Sequence, residues 1–167
     1  MNDSILFREK QRFNQIWLWL LMMTINGIFL YACFLQLIQN QKFGSNPMSN
    51  NMLIFTFIMI VVFTILLRIL YLDTLIGENG IYVRFSPFQR KYKFFDWNAI
   101  SKAYIRQYKP ILEYGGWGIK YGKSGWAYNI QGNSGLQLEL NDNTKILIGT
   151  QKMKEVKALL NRFKLEN

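Results

Sequence analysis

Two long apolar stretches in the first 71 residues constrain this chain more than any other feature of its sequence. Residues 16–38 carry no charged side chain, and a helix of that length spans about 34 Å, enough to cross the hydrocarbon core of a bilayer. Residues 52–71 carry one charge, Arg68, from where a long side chain can reach the membrane interface. The sequence therefore predicts two transmembrane helices joined by a polar external loop, residues 39–51.

The charges around these stretches predict the orientation of the helical hairpin. The external loop has Lys42 as its only charge, whereas basic residues cluster near the other ends of the two stretches: Arg8, Lys10, Arg12, Arg84, Arg90, Lys91 and Lys93. Because basic residues are retained on the cytoplasmic side, we expect a multi-pass protein of the cell inner (cytoplasmic) membrane with both termini in the cytoplasm. Residues 1–15 then form a cytoplasmic N-terminal segment. A cleaved signal peptide is disfavoured, since the first stretch is too long and no small-residue cleavage site follows Ile38.

Three polar residues lie inside the predicted spans. Asn26 is the strongly polar residue deep in the first stretch, and Thr24 and Thr64 lie at a similar predicted depth. An amide in lipid seeks a partner on another helix or on another chain. We favour a hydrogen bond within the hairpin, and leave open a contact that builds a homo-oligomer or binds a ligand.

Residues 72–167 predict a small cytoplasmic β domain. Short apolar runs alternate with turn residues such as Asn79-Gly80, a pattern typical of strands joined by hairpins. Near the C-terminus Val156 and Leu160 recur at helical spacing, with Thr150 available as an N-cap. We expect a membrane α-hairpin followed by an all-β barrel or sandwich of about seven antiparallel strands, capped by a C-terminal α-helix.

This order of elements resembles the pleckstrin-homology-like (PH-like) domains of bacteria over about residues 72–164. The segments that carry the resemblance are GENGIYVRFSPF, DWNAISKAY, EYGGWGIKYGKSGWAYNIQGNSGLQLEL and ILIGTQ. Behind a two-helix hairpin, they are similar to bacterial membrane-anchored PH-like proteins of uncharacterised function. The resemblance implies a strongly bent antiparallel sheet closed by a helix. It supplies no catalytic residues and does not imply phosphoinositide binding, because a fold does not fix a function.

The composition excludes several kinds of enzyme site. The chain has no His and a single Cys, Cys33, so His-based triads, His metal sites, Cys clusters and an intramolecular disulfide cannot form. The carboxylates Asp96, Glu113, Glu139 and Asp142 form no recognisable pair in the sequence. We therefore expect no catalytic residue, no metal and no cofactor.

The densest grouping of glycine and aromatic residues in the domain lies between Glu113 and Trp126. We predict a binding hairpin here, because glycine lets a ligand approach the backbone and aromatic rings offer flat contact surfaces. A bent hairpin whose rings merely fill the barrel is a competing interpretation that the pattern slightly favours. The candidate residues are Glu113, Tyr114, Gly115, Gly116, Trp117, Tyr121 and Trp126.

A basic turn around residues 88–93 is a candidate lipid-facing surface. Arg90, Lys91 and Lys93 alternate there with aromatic residues, a composition typical of cytoplasmic surfaces that meet anionic lipid. An ordinary solvated strand end fits the same pattern equally well. Nucleic acid is disfavoured as a partner, since no base-reading motif accompanies the basic residues.

Together these features predict a non-catalytic integral membrane protein. Its PH-like domain would act as a binding module at the cytoplasmic membrane surface, for a membrane or cytoplasmic protein or for a lipid headgroup. Two alternatives stay open: an enzyme or accessory subunit acting on lipid or cell-envelope substrates, and a subunit of an oligomeric channel or transporter.

Overall fold

A computed structural model describes residues 4–163 of the chain. Two compact units are present. One consists of residues 14–69, and the other combines the residues before 14 with those from 70 onward. The chain therefore leaves its β domain, forms a helical unit and returns to complete the same domain.

The helical unit contains two long apolar helices. Helix α1 spans Ile16–Cys33 and continues as a π-helical stretch, Phe34–Ile38, while α2 spans Asn50–Ile69. Both are long enough and apolar enough to cross a membrane. Only 11% of an apolar 18-residue stretch in each helix is buried. A core helix of a soluble protein would bury most of this surface, so the exposed apolar side chains favour lipid as their surroundings. The two predicted helices are confirmed as helices.

The second helix is displaced by two residues from its predicted position. It begins at Asn50 rather than residue 52 and ends at Ile69. Tyr71, predicted to end the span, is instead the first residue of a strand. The apolar pattern did not separate the two elements, because the strand that follows is itself apolar on the side that faces the core.

The first sheet contains four antiparallel strands in the order β1-β2-β3-β4. They are β1 (Ile5–Arg12), β2 (Tyr71–Gly77), β3 (Gly80–Ser86) and β4 (Lys93–Asp96). Strand β1 lies within residues 1–15, the predicted cytoplasmic N-terminal segment, where no strand was expected. In the sequence, the helical unit thus lies between β1 and β2, two strands that are neighbours in one sheet.

Strand β1 is not recognisable from its hydrophobicity, because its buried side is largely polar. Phe7, Glu9 and Gln11 face inward. Glu9 accepts hydrogen bonds from the Thr150 hydroxyl at 2.6 Å and the Gln151 N–H at 2.8 Å. Gln11 donates to the carbonyl of Gly149 at 2.6 Å. These bonds give partners to the Glu9 carboxylate and the Gln11 amide nitrogen, and they anchor β1 to a segment about 140 residues away.

The second sheet has five strands in the order β5-β8-β9-β7-β6. They are β5 (Ile100–Gln107), β6 (Gly118–Gly122), β7 (Gly125–Asn129), β8 (Ser134–Leu140) and β9 (Lys145–Gly149). Neighbouring strands are antiparallel except β7 and β9, which run parallel. The expectation of about seven antiparallel strands is therefore corrected, for residues 4–163, to nine strands in two sheets with one parallel pair.

Two α-helices and a one-turn 3-10 helix, Trp97–Ala99, complete the domain. Helix α3 (Pro110–Tyr114) lies between β5 and β6, and α4 (Met153–Arg162) ends the described chain. The predicted terminal helix is confirmed: Val156 and Leu160 are fully buried. The predicted N-cap is wrong: Lys152 is the N-cap residue, and Thr150 lies two residues before it, where its hydroxyl oxygen accepts the N–H of Lys152 at 3.0 Å.

Candidate functional site

The residues of the predicted binding hairpin lie in two separate elements, a short helix and a β-hairpin. Glu113 and Tyr114 belong to α3, which the sequence analysis did not predict, whereas Tyr121 and Trp126 lie on the β6–β7 hairpin. Pro110 fits the first turn of α3, because its ring fixes a helical φ and no N–H is needed there. Gly115 ends the helix with a φ of 71°, a conformation that glycine adopts without strain.

An ion pair between Glu113 and Arg106 holds the end of α3 in place. Glu113 Oε2 lies 2.9 Å from Arg106 Nη2 on β5, and Glu113 Oε1 accepts the N–H of Lys109 at 2.7 Å. Burial alone would raise the pKa of Glu113, but the hydrogen bonds from Arg106 and Lys109 outweigh it and hold that pKa below its usual range. Glu113 is therefore an anchoring carboxylate that is charged at neutral pH.

Beneath α3 the side chains form a small apolar cluster of Tyr108, Tyr114, Ala127 and Leu147. The Tyr114 hydroxyl accepts a hydrogen bond from Arg106 Nη2 at 3.1 Å. Burial raises the pKa of Tyr108 to about 12, so its hydroxyl stays protonated. Of the predicted binding residues, Tyr114 is thus a core residue.

The remaining aromatic residues of the segment differ in exposure and in role. Trp117 donates its indole N–H to the carbonyl of Gly132 at 3.1 Å, which ties it to a neighbouring loop. Tyr121 and Trp126 pair across the hairpin with ring centroids 5.2 Å apart in an edge-to-face arrangement. Tyr121 is 72% exposed, so this pair does not fill a barrel interior.

Helix α3 and the Tyr121–Trp126 pair lie on opposite faces of the hairpin. Side chains alternate between faces along a strand, so Ala127 faces away from Trp126. Ala127 is packed in the cluster beneath α3. The predicted residues are therefore close in the sequence, but the structure divides them between two surfaces.

Each surface has a shallow depression beside it. A groove of about 310 Å³ is lined by residues 108–112, Trp117 and Asn133, and is largely apolar. A more polar groove of about 480 Å³ lies between the β6–β7 and β8–β9 turns, beside Tyr121 and Trp126. The two grooves share no lining residue.

Exposed apolar side chains are concentrated in this part of the β domain. Within residues 4–13 and 70–163, the large hydrophobic side chains classed as exposed are Ile5, Phe88, Phe94, Ile111, Leu112, Tyr121, Trp126 and Met153. Half of them fall between residues 111 and 126. Ile111 and Leu112 are 68% and 74% exposed, although α3 buries its other side well. Contiguous exposed apolar side chains mark interaction surfaces, so Ile111 with Leu112 and Tyr121 with Trp126 form two separate candidate surfaces.

A second constellation, on the outer face of the first sheet, was not found in the sequence. Asp73 on β2 is fully buried. Its carboxylate accepts hydrogen bonds from Arg8 Nη2 at 3.0 Å, Arg84 Nη2 at 3.3 Å and the Tyr92 hydroxyl at 2.7 Å. Burial would raise the pKa of Asp73, but the bonds from Arg8 and Tyr92 and the charges of Arg8 and Arg84 lower it.

Two further cations lie on the same outer face. Lys10 Nζ is 3.8 Å from the centre of the Tyr71 ring, and the Arg12 guanidinium is 5.9 Å from it. Register places Arg8, Lys10 and Arg12 on one side of β1, beside Asp73 and Tyr71. We call Arg8, Lys10, Arg12 and Arg84 the basic face. Its charges come from segments separated by the whole helical unit, so no local sequence pattern could reveal it.

The predicted lipid-facing residues separate into two groups. Arg90 and Lys91 are exposed in the turn that follows β3, as is Phe88. Lys93 begins β4, where its Nζ lies 5.4 Å from the centre of the Phe95 ring and 3.5 Å from the Tyr128 hydroxyl. All three residues are exposed, but aromatic neighbours hold the Lys93 side chain in place.

The polar residues of the helical unit are bonded within one chain. Asn26 Nδ2 donates to Thr64 Oγ1 at 3.0 Å and to the carbonyl of Met22 at 2.7 Å. Thr64 Oγ1 donates to the carbonyl of Ile60, and Thr24 to that of Leu20, in their own helices. This arrangement is the hairpin hydrogen bond favoured from the sequence.

Residues 4–163 contain no group of three or more His, Cys, Asp or Glu side chains placed to hold a metal ion. Of the four carboxylates considered for catalysis, Asp96 and Asp142 accept backbone N–H groups in turns. Glu139 accepts the Tyr104 hydroxyl at 3.1 Å. No family model, curated protein or solved structure matches the chain.

Proposed function

We propose that this protein is a non-catalytic, membrane-anchored binding module that presents one of the two exposed apolar surfaces within residues 111–126 to a protein partner. The observation that carries the proposal is the exposure of apolar side chains on both surfaces: Ile111 and Leu112 on α3, which the Arg106–Glu113 ion pair fixes, and Tyr121 with Trp126 on the β6–β7 hairpin. Exposed Leu112 and Tyr121 offer contact area at little entropic cost, since their backbone is already ordered.

The anchor belongs to the same proposal. Two apolar helices would hold the β domain at the inner surface of the cytoplasmic membrane, with both termini in the cytoplasm as flanking charge predicts. A β-rich domain that ends in helix α4 is the basis for a PH-like architecture in this proposal, and the parallel β7–β9 pair departs from it; a bacterial source is part of the same hypothesis. Tethering to a membrane raises the local concentration of any membrane-bound partner, so weak contacts suffice.

Site-specific photo-crosslinking in native membranes tests this function. A benzophenone amino acid would replace Leu112 in one variant and Tyr121 in another, with exposed Lys102 on β5 as the matched control position. We expect one protein adduct from position 112 or 121 that is absent from position 102. The position that reacts identifies which of the two grooves the partner occupies.

Two results would contradict the proposal. Adducts at position 102 equal to those at 112 and 121 would indicate random collision. Adducts with lipid alone at both test positions would show that the apolar surface faces the bilayer and not a protein.

A further inference from the structure

The connections to the helical unit leave the first sheet at one end. Arg12, the last residue of β1, pairs with Tyr71, the first residue of β2, and Tyr71 pairs with Ser86, the last residue of β3. Three residues separate β1 from α1, and Leu70 alone separates α2 from β2. One intervening residue limits the Cα distance from Ile69 to Tyr71 to about 8 Å. The exposed turn carrying Arg90 and Lys91 leaves β3 at this same end.

Charge is distributed unevenly along this sheet. Lys10, Arg12 and Arg84 lie toward the end where the chain enters and leaves the helical unit, whereas Glu78 and Asp96 lie at the opposite end. Of the four cations of the basic face, Arg8 and Arg84 contact the carboxylate of Asp73, whereas Lys10 and Arg12 lie over the Tyr71 ring. An excess of positive charge therefore remains after Asp73 is neutralised.

The basic face is also organised in advance. Asp73 holds Arg8 and Arg84, and Arg84 lies 4.3 Å from the centre of the Tyr92 ring. Lys10 and Arg12 are placed over Tyr71. Arginine presents several N–H donors in a fixed fork, so a guanidinium held by one carboxylate can still donate to a phosphate. Arg8 keeps 61% of its side chain exposed for such a contact.

We propose that the basic face and the Arg90–Lys91 turn bind the phosphate groups of anionic phospholipids in the membrane that carries the two helices. The short connections favour lipid over a soluble anion, since they keep this end of the sheet near the headgroups. Tyr71 and exposed Phe88 add the aromatic component common at membrane interfaces. The contact would orient the β domain. It involves residues other than 111–126, so it extends the proposed function to a second ligand.

Lysine acetylation of the full-length protein in nanodiscs tests the contact. Rates would be compared, by mass spectrometry, between discs of phosphatidylcholine alone and discs that also contain phosphatidylglycerol. We expect Lys10 and Lys91 to react about fivefold more slowly with phosphatidylglycerol present, the change that one basic side chain contributes at an anionic surface. Exposed Lys102 and Lys120 are internal references and should keep their rates. Raising the salt concentration should reduce the protection.

A charge variant strengthens the test without touching Asp73. Arg12→Gln should weaken the protection of Lys91, whereas the matched Lys102→Gln should not. Equal rates in both kinds of disc, or equal slowing of all four lysines, would overturn the proposal. Inorganic phosphate added to phosphatidylcholine discs is expected to have no effect, and full protection by it would replace the lipid with a soluble anion. These outcomes are independent of protein adducts at positions 112 and 121, so either proposal can fail alone.

Discussion

Replacing Asp73 with Asn should destabilise the β domain strongly. The carboxylate is fully buried and accepts hydrogen bonds from Arg8, Arg84 and Tyr92. Removing one partner of a buried ion pair costs about 3–5 kcal/mol. We expect about 2–3 kcal/mol here, because the Arg8 side chain is 61% exposed and can turn to water.

That loss corresponds to a fall of roughly 10–20 °C in the midpoint of thermal unfolding for a domain of this size. Near-UV circular dichroism of the full-length protein in detergent would follow the β domain, and Glu78→Gln, a charge change at an exposed residue in the turn between β2 and β3, is the matched control. A midpoint for Asp73→Asn within about 2 °C of the wild type, less than 1 kcal/mol, would refute the inference that this carboxylate organises the basic face.

The same carboxylate sets a pH dependence with a definite sign. The pKa of Asp73 is lower in the folded protein than in the unfolded chain, so its stabilisation is complete above the unfolded value of about 3.9. The stabilisation is then lost as the pH falls through the lower folded value. Wild-type stability should therefore decrease below about pH 4 by more than that of Asp73→Asn.

Three other substitutions have definite expected outcomes. Asn26→Leu should leave the oligomeric state unchanged by light scattering, because the amide bonds to Thr64 of the same chain; loss of an oligomer would instead support the channel hypothesis. Glu113→Gln should reduce the free energy of unfolding by about 1–2 kcal/mol, measured by chemical denaturation, since it weakens the contact with Arg106. Gly125→Ala should cost about 2 kcal/mol or more in the same assay, because its φ is 91° and a Cβ would meet the carbonyl of Lys145.

The sequence predicted the elements whose signals lie close together along the chain: the two apolar helices, the terminal helix and the β-rich character of the domain. The two apolar helices follow from hydropathy, and α4 follows from the helical spacing of Val156 and Leu160. The β-rich character of the domain follows from apolar runs bounded by turn residues. Each of these signals lies within about twenty residues, and none requires knowledge of a distant partner.

What the sequence did not predict depends on distant partners. Strand β1 has inward Glu9 and Gln11, whose side-chain hydrogen-bond partners lie far along the chain in Gly149–Gln151. Asp73 lies among apolar residues and meets Arg8 only after the helical unit returns the chain to β2. The parallel pairing of β7 with β9 likewise joins strands that are not consecutive. The division of residues 113–126 between two surfaces follows from α3, whose five residues give too short a pattern to detect.

Cysteine labelling across the membrane tests most directly whether the two helices span the membrane and place the β domain on its cytoplasmic side. In a Cys33→Ser background, Ser45→Cys would mark the loop between the helices, and Lys102→Cys would mark the β domain. A membrane-impermeant maleimide should label position 45 in intact cells and position 102 only after the membrane is opened. Labelling of position 102 in intact cells, or of position 45 only after opening, would contradict a domain anchored at the cytoplasmic surface.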